Sequence, residues 1–255
     1  MNVLWIFAHP ERHSLSGALR DEGHRVLEGL GHEVRTSDLY GMGWNPVVDG
    51  DDFAHDPGQR LIVGAASQEA HARGTLSEDI RAEHEKLRWA DAVVLQFPLW
   101  WYGMPAILKG WFDRVFVKGF AYGVVDGGRT LRYGDGVLRG KRAMAVVTAG
   151  APAPTIGPRG VNGDIDELLF PLQHGALFYT GMAVLPPFVV PGADRVSPAD
   201  YACAAAGLGE RLRTLGTAEP IPFRHQNGGD YDDRLVLRPE LAPDRTGVRV
   251  HYAES

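Results

Sequence analysis

Three large aromatic residues follow an apolar run at the point where a strand would end. The stretch QFPLWWYGMP places Trp100, Trp101 and Tyr102 after the run AVVLQF and before Gly103. At the carboxyl end of a strand these rings would form a flat, dry shelf, and Gly103 would allow a ligand to approach the backbone. A flat conjugated ligand suits such a shelf. Packing of the same rings on top of the core is the structural alternative.

A second stretch that could bind a ligand is HPERHSLS, which joins an apolar run to a predicted helix. The N–H groups of a helix N-terminus, with the hydroxyls of Ser14 and Ser16 and with His9 at the base, make a good phosphate site. The dinucleotide fingerprint GxGxxG is missing, and simple capping by either serine is the alternative. His9 and His13 are four residues apart, but Pro10 breaks any helix between them, so we expect no metal site.

The third stretch, TAGAPAPTIGPRGVNG at residues 148–163, is rich in glycine and proline. This composition predicts a stiff loop whose backbone N–H groups can face a ligand. Thr148, Ala149 and Gly150 would place amides against the pyrimidine edge of a flavin. Three such loops at one site favour a flavin over coincidence.

Apolar runs of strand length alternate with helical patterns, and this order predicts where the three loops meet. Nearly continuous apolar strands separated by helices indicate a parallel sheet covered on both faces, in a doubly wound α/β fold. We predict five strands, at residues 3–8, 33–39, 92–97, 143–149 and 183–190. In such a sheet ligands bind outside the carboxyl ends of the strands, at the switch point of strand order, where the three loops would lie.

Helical patterns fill the intervals between these strands. We predict helices that begin near Ser14, Ser77 and Pro105, and helices over 163–179 and 198–215. Thr75-Leu-Ser-Glu78 has the spacing of a capping box.

Two segments lack these patterns. Residues 41–74 are too long for a simple loop and are expected to form an irregular surface insertion. After about residue 216 we expect irregular structure that wraps a surface or a neighbouring subunit. The predicted organisation is a flavin-binding domain at 1–216 and a C-terminal extension at 217–255, packed on the domain or on a partner subunit.

Composition narrows the classes of partner. The net charge of −6 and the absence of a basic run argue against nucleic acid and anionic membranes. The single Cys203 excludes an intramolecular disulfide and suits a reducing compartment. The N-terminus lacks the features of a signal peptide, and no stretch approaches the ~20 apolar residues of a membrane span. We expect a cytoplasmic protein.

Several longer motifs are similar to one enzyme family. HPERHSLSGAL, SDLYGMGWNP, QFPLWWYGMPAILKGWFDRVF and GVNGDIDELLFPLQHGALFYTG resemble the flavodoxin-like NAD(P)H:quinone oxidoreductases, the group around DT-diaphorase and the bacterial drug-activity modulators. The resemblance covers roughly residues 2–190, and the stretch 96–122 is its most specific part. The region beyond 216 is the weakest.

The resemblance implies a homodimer that holds FAD, with FMN the less favoured cofactor, at two sites across the subunit interface. NADH or NADPH would give hydride to flavin N5, and a quinone or similar acceptor would then take both electrons in a ping-pong cycle. The implied cofactor contacts are His9, Ser14, Leu15, Ser16, Pro98, Leu99, Trp100, Trp101, Tyr102, Thr148, Ala149 and Gly150, with Asp113 near the adenosine part. The implied substrate pocket comprises Trp101, Tyr122, Tyr179 and His174, with Tyr122 reaching in from the partner chain.

The sequence departs from the family pattern on the third loop. Mammalian members carry a Tyr and a His there, and the matching positions are Ile156 and Asn162. Ile156 cannot exchange a proton, and the amide of Asn162 can donate a hydrogen bond without supplying a proton. We hypothesise that Asn162 and Arg159 together replace the relay, with Tyr122 as the third catalytic residue. His174, on the following helix, is a further candidate whose alternative role is packing.

Two alternative functions, neither of them quinone reduction, remain open. Some relatives are ancillary subunits of a potassium-efflux transporter, and residues 41–74 and 217–255 could provide a docking surface. A one-electron flavodoxin-type carrier would need a strongly acidic rim, which a charge of −6 over 255 residues does not suggest. The choice between NADH and NADPH, and the identity of the acceptor, are not determined by these motifs.

Overall fold

A computed structural model describes residues 1–253. The central sheet is parallel and contains five strand positions in the order β2-β1-β3-β6-β7/β8. Its strands are β1 Asn2–Phe7, β2 Glu33–Asp38, β3 Ala92–Pro98, β6 Arg142–Ala149, β7 Ala183–Val184 and β8 Phe188–Pro191, and a separate hairpin contains β4 Val125–Asp126 and β5 Arg129–Thr130. The order reverses between β1 and β3, so the predicted flavodoxin-like switch point lies there. The predicted fold class is confirmed.

The fifth strand is interrupted. β7 pairs with the start of β6 and β8 with its end, and Pro186 and Pro187 lie between them. Proline has no N–H to donate to the sheet, so the prediction of one continuous strand over 183–190 is wrong. Both pieces still lie beside β6, and β8 ends at the same edge as β6.

Helices cover both faces of the sheet. The α-helices are α1 Leu15–Gly29, α2 Val63–Arg73, α3 Glu78–Trp89, α4 Ala106–Val115, α5 Ile165–Leu168, α6 Phe170–Leu172 and α7 Pro198–Arg213. Because side chains alternate along a strand, Leu4 and Ile6 face the core under α3 and α4, whereas Val3 and Trp5 face α1 and α7. Gly23 lets α1 lie directly on Trp5, since a Cβ there would be 2.4 Å from the indole ring.

The predicted caps are confirmed at one helix and wrong at another. Ser14 caps α1, and its hydroxyl accepts a hydrogen bond from Gly17 N. At α3 the N-cap is Ser77, whose hydroxyl donates to Asp79, so Thr75 does not form a capping box. The helix begins two residues later than that spacing assumes.

The segment 41–74 is more regular than predicted. It contains a short 3₁₀ helix, Asp51–Phe53, and the eleven-residue helix α2. Only Ser67 and Ala70 of α2 are buried, so its sequence lacks a strong apolar stripe and did not indicate a helix.

Arg114 of α4 anchors that segment to the domain. Its guanidinium donates to both carboxylate oxygens of Asp52, to Asp79 and to the carbonyl of Asn45. Arg114 and Asp52 are both 3% exposed. Buried charges of this kind depend on each other, because either one alone would be uncompensated.

The helical region before β7 is also broken. The predicted single helix over 163–179 consists of α5, α6 and a π-helical turn, Gln173–Phe178. Pro171 lacks the N–H of a regular turn, and wide π turns are frequent at functional sites.

The C-terminal segment is mostly irregular, as predicted, with one 3₁₀ helix at Val248–His251. Phe223 is buried against the rings of Phe170 and Phe178, and Arg224 N donates to the carbonyl of His251. The segment therefore packs on the π-helical region. None of the helices within residues 1–253 has the length and apolarity needed to cross a bilayer.

Replacing Arg114 by Met should lower the free energy of unfolding by about 3–5 kcal/mol, because the buried Asp52 carboxylate loses its counter-charge. The control is Lys109→Met, which removes an exposed ion pair from the same helix and should cost about 1 kcal/mol or less. Denaturant unfolding followed by circular dichroism measures both values. Equal losses in the two variants would contradict the anchoring role of Arg114.

Candidate functional site

A large cavity lies at the carboxyl ends of β1, β3 and β6. Its volume is about 680 Å³, within the range of small-molecule sites. The lining residues are His9, Ser14, Leu15, Ser16, Pro98, Leu99, Trp100, Trp101, Tyr102, Thr148, Ala149, Gly150, Ala151, Ile156, Asn162, Ala193 and Asp194. The structure therefore brings together all the predicted cofactor contacts except Asp113. We call this space the main cavity.

A buried polar chain joins the three loops beneath the main cavity. The Gln96 side chain accepts from Trp5 Nε1 at 2.9 Å and donates to the Ser16 carbonyl at 2.7 Å. The Ser16 hydroxyl lies 3.0 Å from that of Thr148, and Leu99 N donates to the Thr148 carbonyl at 2.8 Å. Gln96 has no exposed surface. Its hydrogen bonds fix the start of α1 over β3 and β6.

Sequence reasoning missed Gln96, although a signal was available. It is the one polar side chain in the otherwise apolar run AVVLQF. A buried amide needs partners, so its presence in a central strand indicated a polar contact near the strand's carboxyl end.

The start of α1 combines a cap with free donors. Leu15 and Ser16 stand in the first turn of α1, where backbone N–H groups have no partner within the helix, and both residues line the main cavity. The Ser14 hydroxyl donates to the Glu11 carbonyl at 2.7 Å, and His9 Nδ1 lies 3.1 Å from the same oxygen. A helix N-terminus with these groups is suited to an anion such as phosphate.

The aromatic turn has a strained backbone. Trp101 and Tyr102 have φ values of 48° and 63°, in the left-handed region that such side chains rarely adopt. Two 3.0 Å hydrogen bonds between Trp100 and Gly103 close the turn and hold that conformation. Gly103 has open space where a Cβ would be, so no other part of the described chain fills the side from which a ligand could approach. Strain of this kind is concentrated at functional sites.

The turn also leaves an apolar ring in the open. Trp101 is 96% exposed at the edge of the main cavity, and Trp100 and Tyr102 are about half exposed. A strained turn that presents its rings to solvent gains little from the core, so simple packing does not explain it.

The third loop places Asn162 opposite this turn. Tyr102 donates its hydroxyl proton to Asn162 Oδ1 at 3.1 Å, and Asn162 Nδ2 donates to the Thr155 hydroxyl at 3.1 Å. The amide is thus held from both ends, with one N–H of Nδ2 left for a ligand. Ile156 also lines the main cavity, whereas Arg159 is exposed outside it.

A fourth loop contributes a residue that sequence reasoning missed. Asp194 follows β8 and reaches the main cavity, where its carboxylate lies so close to Gly150 that a Cβ there would be 2.4 Å from Oδ2. The rule that ligands bind at strand carboxyl ends would have included this loop as well. A side chain at position 150 would displace the Asp194 carboxylate from this place.

The remaining predicted residues lie elsewhere. Asp113, Tyr122 and Tyr179 line a separate cavity of about 580 Å³ between α4 and the π-helical turn, and Asp113 pairs with Lys109. His174 lines a third cavity beside the C-terminal segment. Within one chain the structure does not bring these four residues to the main cavity.

Comparison with known proteins agrees with this geometry. A family model described as flavodoxin-like fold matches residues 1–212. The chain belongs to that family. A ribosyldihydronicotinamide dehydrogenase-like protein of Penicillium crustosum is 48% identical over 91% of this chain and 87% of its own length. NAD(P)H dehydrogenase (quinone) 1 of Rattus norvegicus is 36% identical over 95% of this chain and 88% of its own.

A solved structure is similar over nearly the whole chain. The crystal structure of a candidate quinone reductase from Klebsiella pneumoniae has a TM-score of 0.96 at 53% identity, and the match covers 99% of this chain and 100% of that one. The family resemblance inferred from the sequence motifs is confirmed.

Replacing Gln96 by Leu should lower the free energy of unfolding by about 2–5 kcal/mol, because Trp5 Nε1 and the Ser16 carbonyl both lose a buried partner. Gln59→Leu, at an exposed position of the 41–74 segment, is the matched control and should change stability by about 0.5 kcal/mol or less. Chemical unfolding measures the difference. If Gln96→Leu were as stable as the control, the buried chain would not hold the loops together.

Proposed function

We propose that the protein catalyses the two-electron reduction of a quinone or related aromatic acceptor by NADH or NADPH, with FAD as its bound cofactor. The observation that carries this proposal is the meeting of an aromatic turn, a helix N-terminus and an amide-lined loop in one cavity. Membership of the flavodoxin-like family supports it, and so do the dehydrogenase names of its relatives.

The residues of the main cavity fit a flavin in three parts. The start of α1, with its free N–H groups and hydroxyls, would hold the pyrophosphate and ribityl part. The aromatic turn with Pro98 and Leu99 would line the isoalloxazine, and residues 148–150 would meet its polar edge. A bound flavin supplies a centre that accepts a hydride from one substrate and gives it to the next.

FAD is favoured over FMN on the family resemblance. The acidic residue proposed for the adenosine part, Asp113, lies outside the main cavity on α4. It would contact that part only where the cofactor extends beyond the main cavity. Identification of the released cofactor decides between the two flavins.

Asn162 is proposed as the group that replaces the missing acid–base pair. Its orientation by Tyr102 and Thr155 directs a fixed amide dipole at the main cavity, and such preorganised donors stabilise negative charge without moving a proton. Arg159, on the exposed surface of the same loop, would contribute through its charge. Ile156 fills the remaining position with an apolar side chain that excludes water.

A homodimer would complete the acceptor pocket. Trp101 projects into solvent from the main cavity, and Tyr122 and Tyr179 line a neighbouring cavity of the same chain. We propose that Tyr122 and Tyr179 of the partner subunit face Trp101 across the dimer interface. His174, which the resemblance also assigns to that pocket, is buried and lines the third cavity of the same chain.

The first experiment mixes the purified holoprotein anaerobically with NADH, NADPH or ribosyldihydronicotinamide, the last because a relative carries that donor in its name. We expect at least one donor to bleach the flavin absorbance, and a quinone to restore it without a semiquinone signal. A flavin that none of the donors reduces would overturn the proposed reaction and favour a binding-subunit role. A stable blue semiquinone would favour a one-electron carrier.

A second experiment tests the amide. Asn162→Ala should slow at least one half-reaction by about 10²-fold, and Tyr102→Phe, which keeps the ring, by up to about tenfold. Arg159→Ala should slow one half-reaction as well. Tyr201→Phe on α7 is the matched control and should leave both rates unchanged. Stopped-flow absorbance gives the rates, and unchanged rates in Asn162→Ala and Arg159→Ala would reject these groups as the replacement.

A further inference from the structure

The third cavity, between the C-terminal segment and the π-helical region, has the features of a second small-molecule site. Its volume is about 400 Å³, enough for a ligand of one or two rings. Tyr133 and Phe170 of the domain line one side, and Arg224 and Tyr231 of the C-terminal segment line the other. We call it the tail cavity. It shares no lining residue with the main cavity.

The tail cavity contains an unpaired positive charge. Arg132 forms no ion pair with any acid among residues 1–253, and its Nε donates only to the neutral Gln226 Oε1, at 2.5 Å. The second guanidinium in the wall, Arg224, is neutralised by Asp230 at 2.7 Å. The net charge presented by these arginines is therefore close to one. A half-buried guanidinium without a carboxylate partner is suited to an anionic ligand.

The walls of the tail cavity are aromatic and flat. The His174 ring is stacked between Phe170, at 4.5 Å and 12°, and Tyr133, at 4.9 Å and 29°. On the other side the rings of Tyr231 and His251 are stacked, and the Tyr231 hydroxyl lies 3.0 Å from His251 Nδ1. Surfaces of this kind bind planar rings by offset or edge contacts.

The two histidines do not add charge at neutral pH. Burial, with the nearby His251, lowers the pKa of His174 to about 4, and burial with Arg224 lowers the pKa of His251. Both imidazoles are thus neutral near pH 7, and Arg132 is the group that favours an anionic ligand over a neutral one. His174 Nε2 is buried and has no hydrogen-bond partner among the described residues. Buried polar atoms of a protein are normally hydrogen-bonded, so this nitrogen is available to a ligand.

We propose that the tail cavity binds a planar aromatic monocarboxylate, with the carboxylate on Arg132 and the ring against Tyr133, Phe170 and Tyr231. One carboxylate matches the one unpaired guanidinium, and the aromatic walls match the ring. Such a ligand would also join the two parts of the chain, because Arg132 and Tyr133 belong to the domain and Tyr231 to the C-terminal segment. The proposal does not depend on the reaction in the main cavity.

The test uses the flavin-loaded full chain and 2-naphthoate as the probe, with 2-naphthamide as its neutral counterpart. Titration calorimetry should show that the carboxylate binds about tenfold or more tightly than the amide, because a charge-assisted hydrogen bond is lost in the amide. Saturating 2-naphthoate should also raise the unfolding temperature, since a ligand that binds only the folded state stabilises it. Equal affinity for the two probes, or no binding at millimolar concentration, would overturn the proposal.

Two variants locate the probe in the tail cavity. Arg132→Gln removes the charge, and Gln226→Glu puts a carboxylate beside Arg132 while keeping the length of the side chain. Each should weaken 2-naphthoate binding by about tenfold or more and leave 2-naphthamide binding unchanged. Arg129→Gln, three residues before Arg132 and outside the tail cavity, is the matched control and should bind as the parent protein does.

The unfolding temperature of each variant shows whether it is folded. If 2-naphthoate bound folded Arg132→Gln and Gln226→Glu as tightly as the control, it would occupy another site and the proposal would be wrong. Loss of binding in Gln226→Glu, where the arginine is retained, supports the proposal even if Arg132→Gln does not fold.

Discussion

The arrangement of the site depends on the side-chain amide of Gln96. A parallel sheet brings the carboxyl ends of its strands to one edge, but the loops that follow could still diverge over that edge. Gln96 prevents this because it is bonded on one side to Trp5 of β1 and on the other to the first turn of α1, whose Ser16 hydroxyl contacts Thr148 at the end of β6. Gln96 is fully buried, so its amide has no water to replace either hydrogen-bond partner. The positions of the loops relative to each other are therefore fixed.

The consequences of this constraint extend to the aromatic turn. Leu99 is hydrogen-bonded to Thr148, so the turn begins from a fixed point, and its left-handed residues are held there at a local cost of about 1–3 kcal/mol each. The hydroxyl of Tyr102 then reaches the third loop and fixes the amide of Asn162. The strained turn therefore places its aromatic rings and the Asn162 amide on the same cavity, the main cavity. A core-packing role for the turn would require neither the strain nor the exposure.

The sequence predicted the features that depend on local pattern. Continuous apolar runs predicted the central strands β1, β3 and β6. Residues in the loops that follow these strands predicted twelve of the residues that line the main cavity. The features that were missed depend on long-range contacts or on weak patterns. Asp194 is placed by the end of β8, and α2 is a helix with little apolar periodicity.

The breaks in the fifth strand and in the helix over 163–179 were not predicted either. The proline pair after Leu185 and Pro171 before the π turn lie inside segments that are apolar enough to suggest single elements. Their effect is on hydrogen bonding, which hydrophobic periodicity does not report. The ion pair of Arg114 with Asp52 joins residues more than sixty positions apart, and neither residue indicates its partner in the sequence.

We propose that the aromatic turn is the platform for a flavin ring, and that the three joined loops hold that ring. The most direct test is a crystal structure of the protein purified with its own cofactor. We expect an isoalloxazine against Trp100, Trp101 and Tyr102, with its pyrimidine edge at residues 148–150 and its phosphates at the start of α1. A flavin bound in any other cavity, or a main cavity filled by a different kind of molecule, would contradict it.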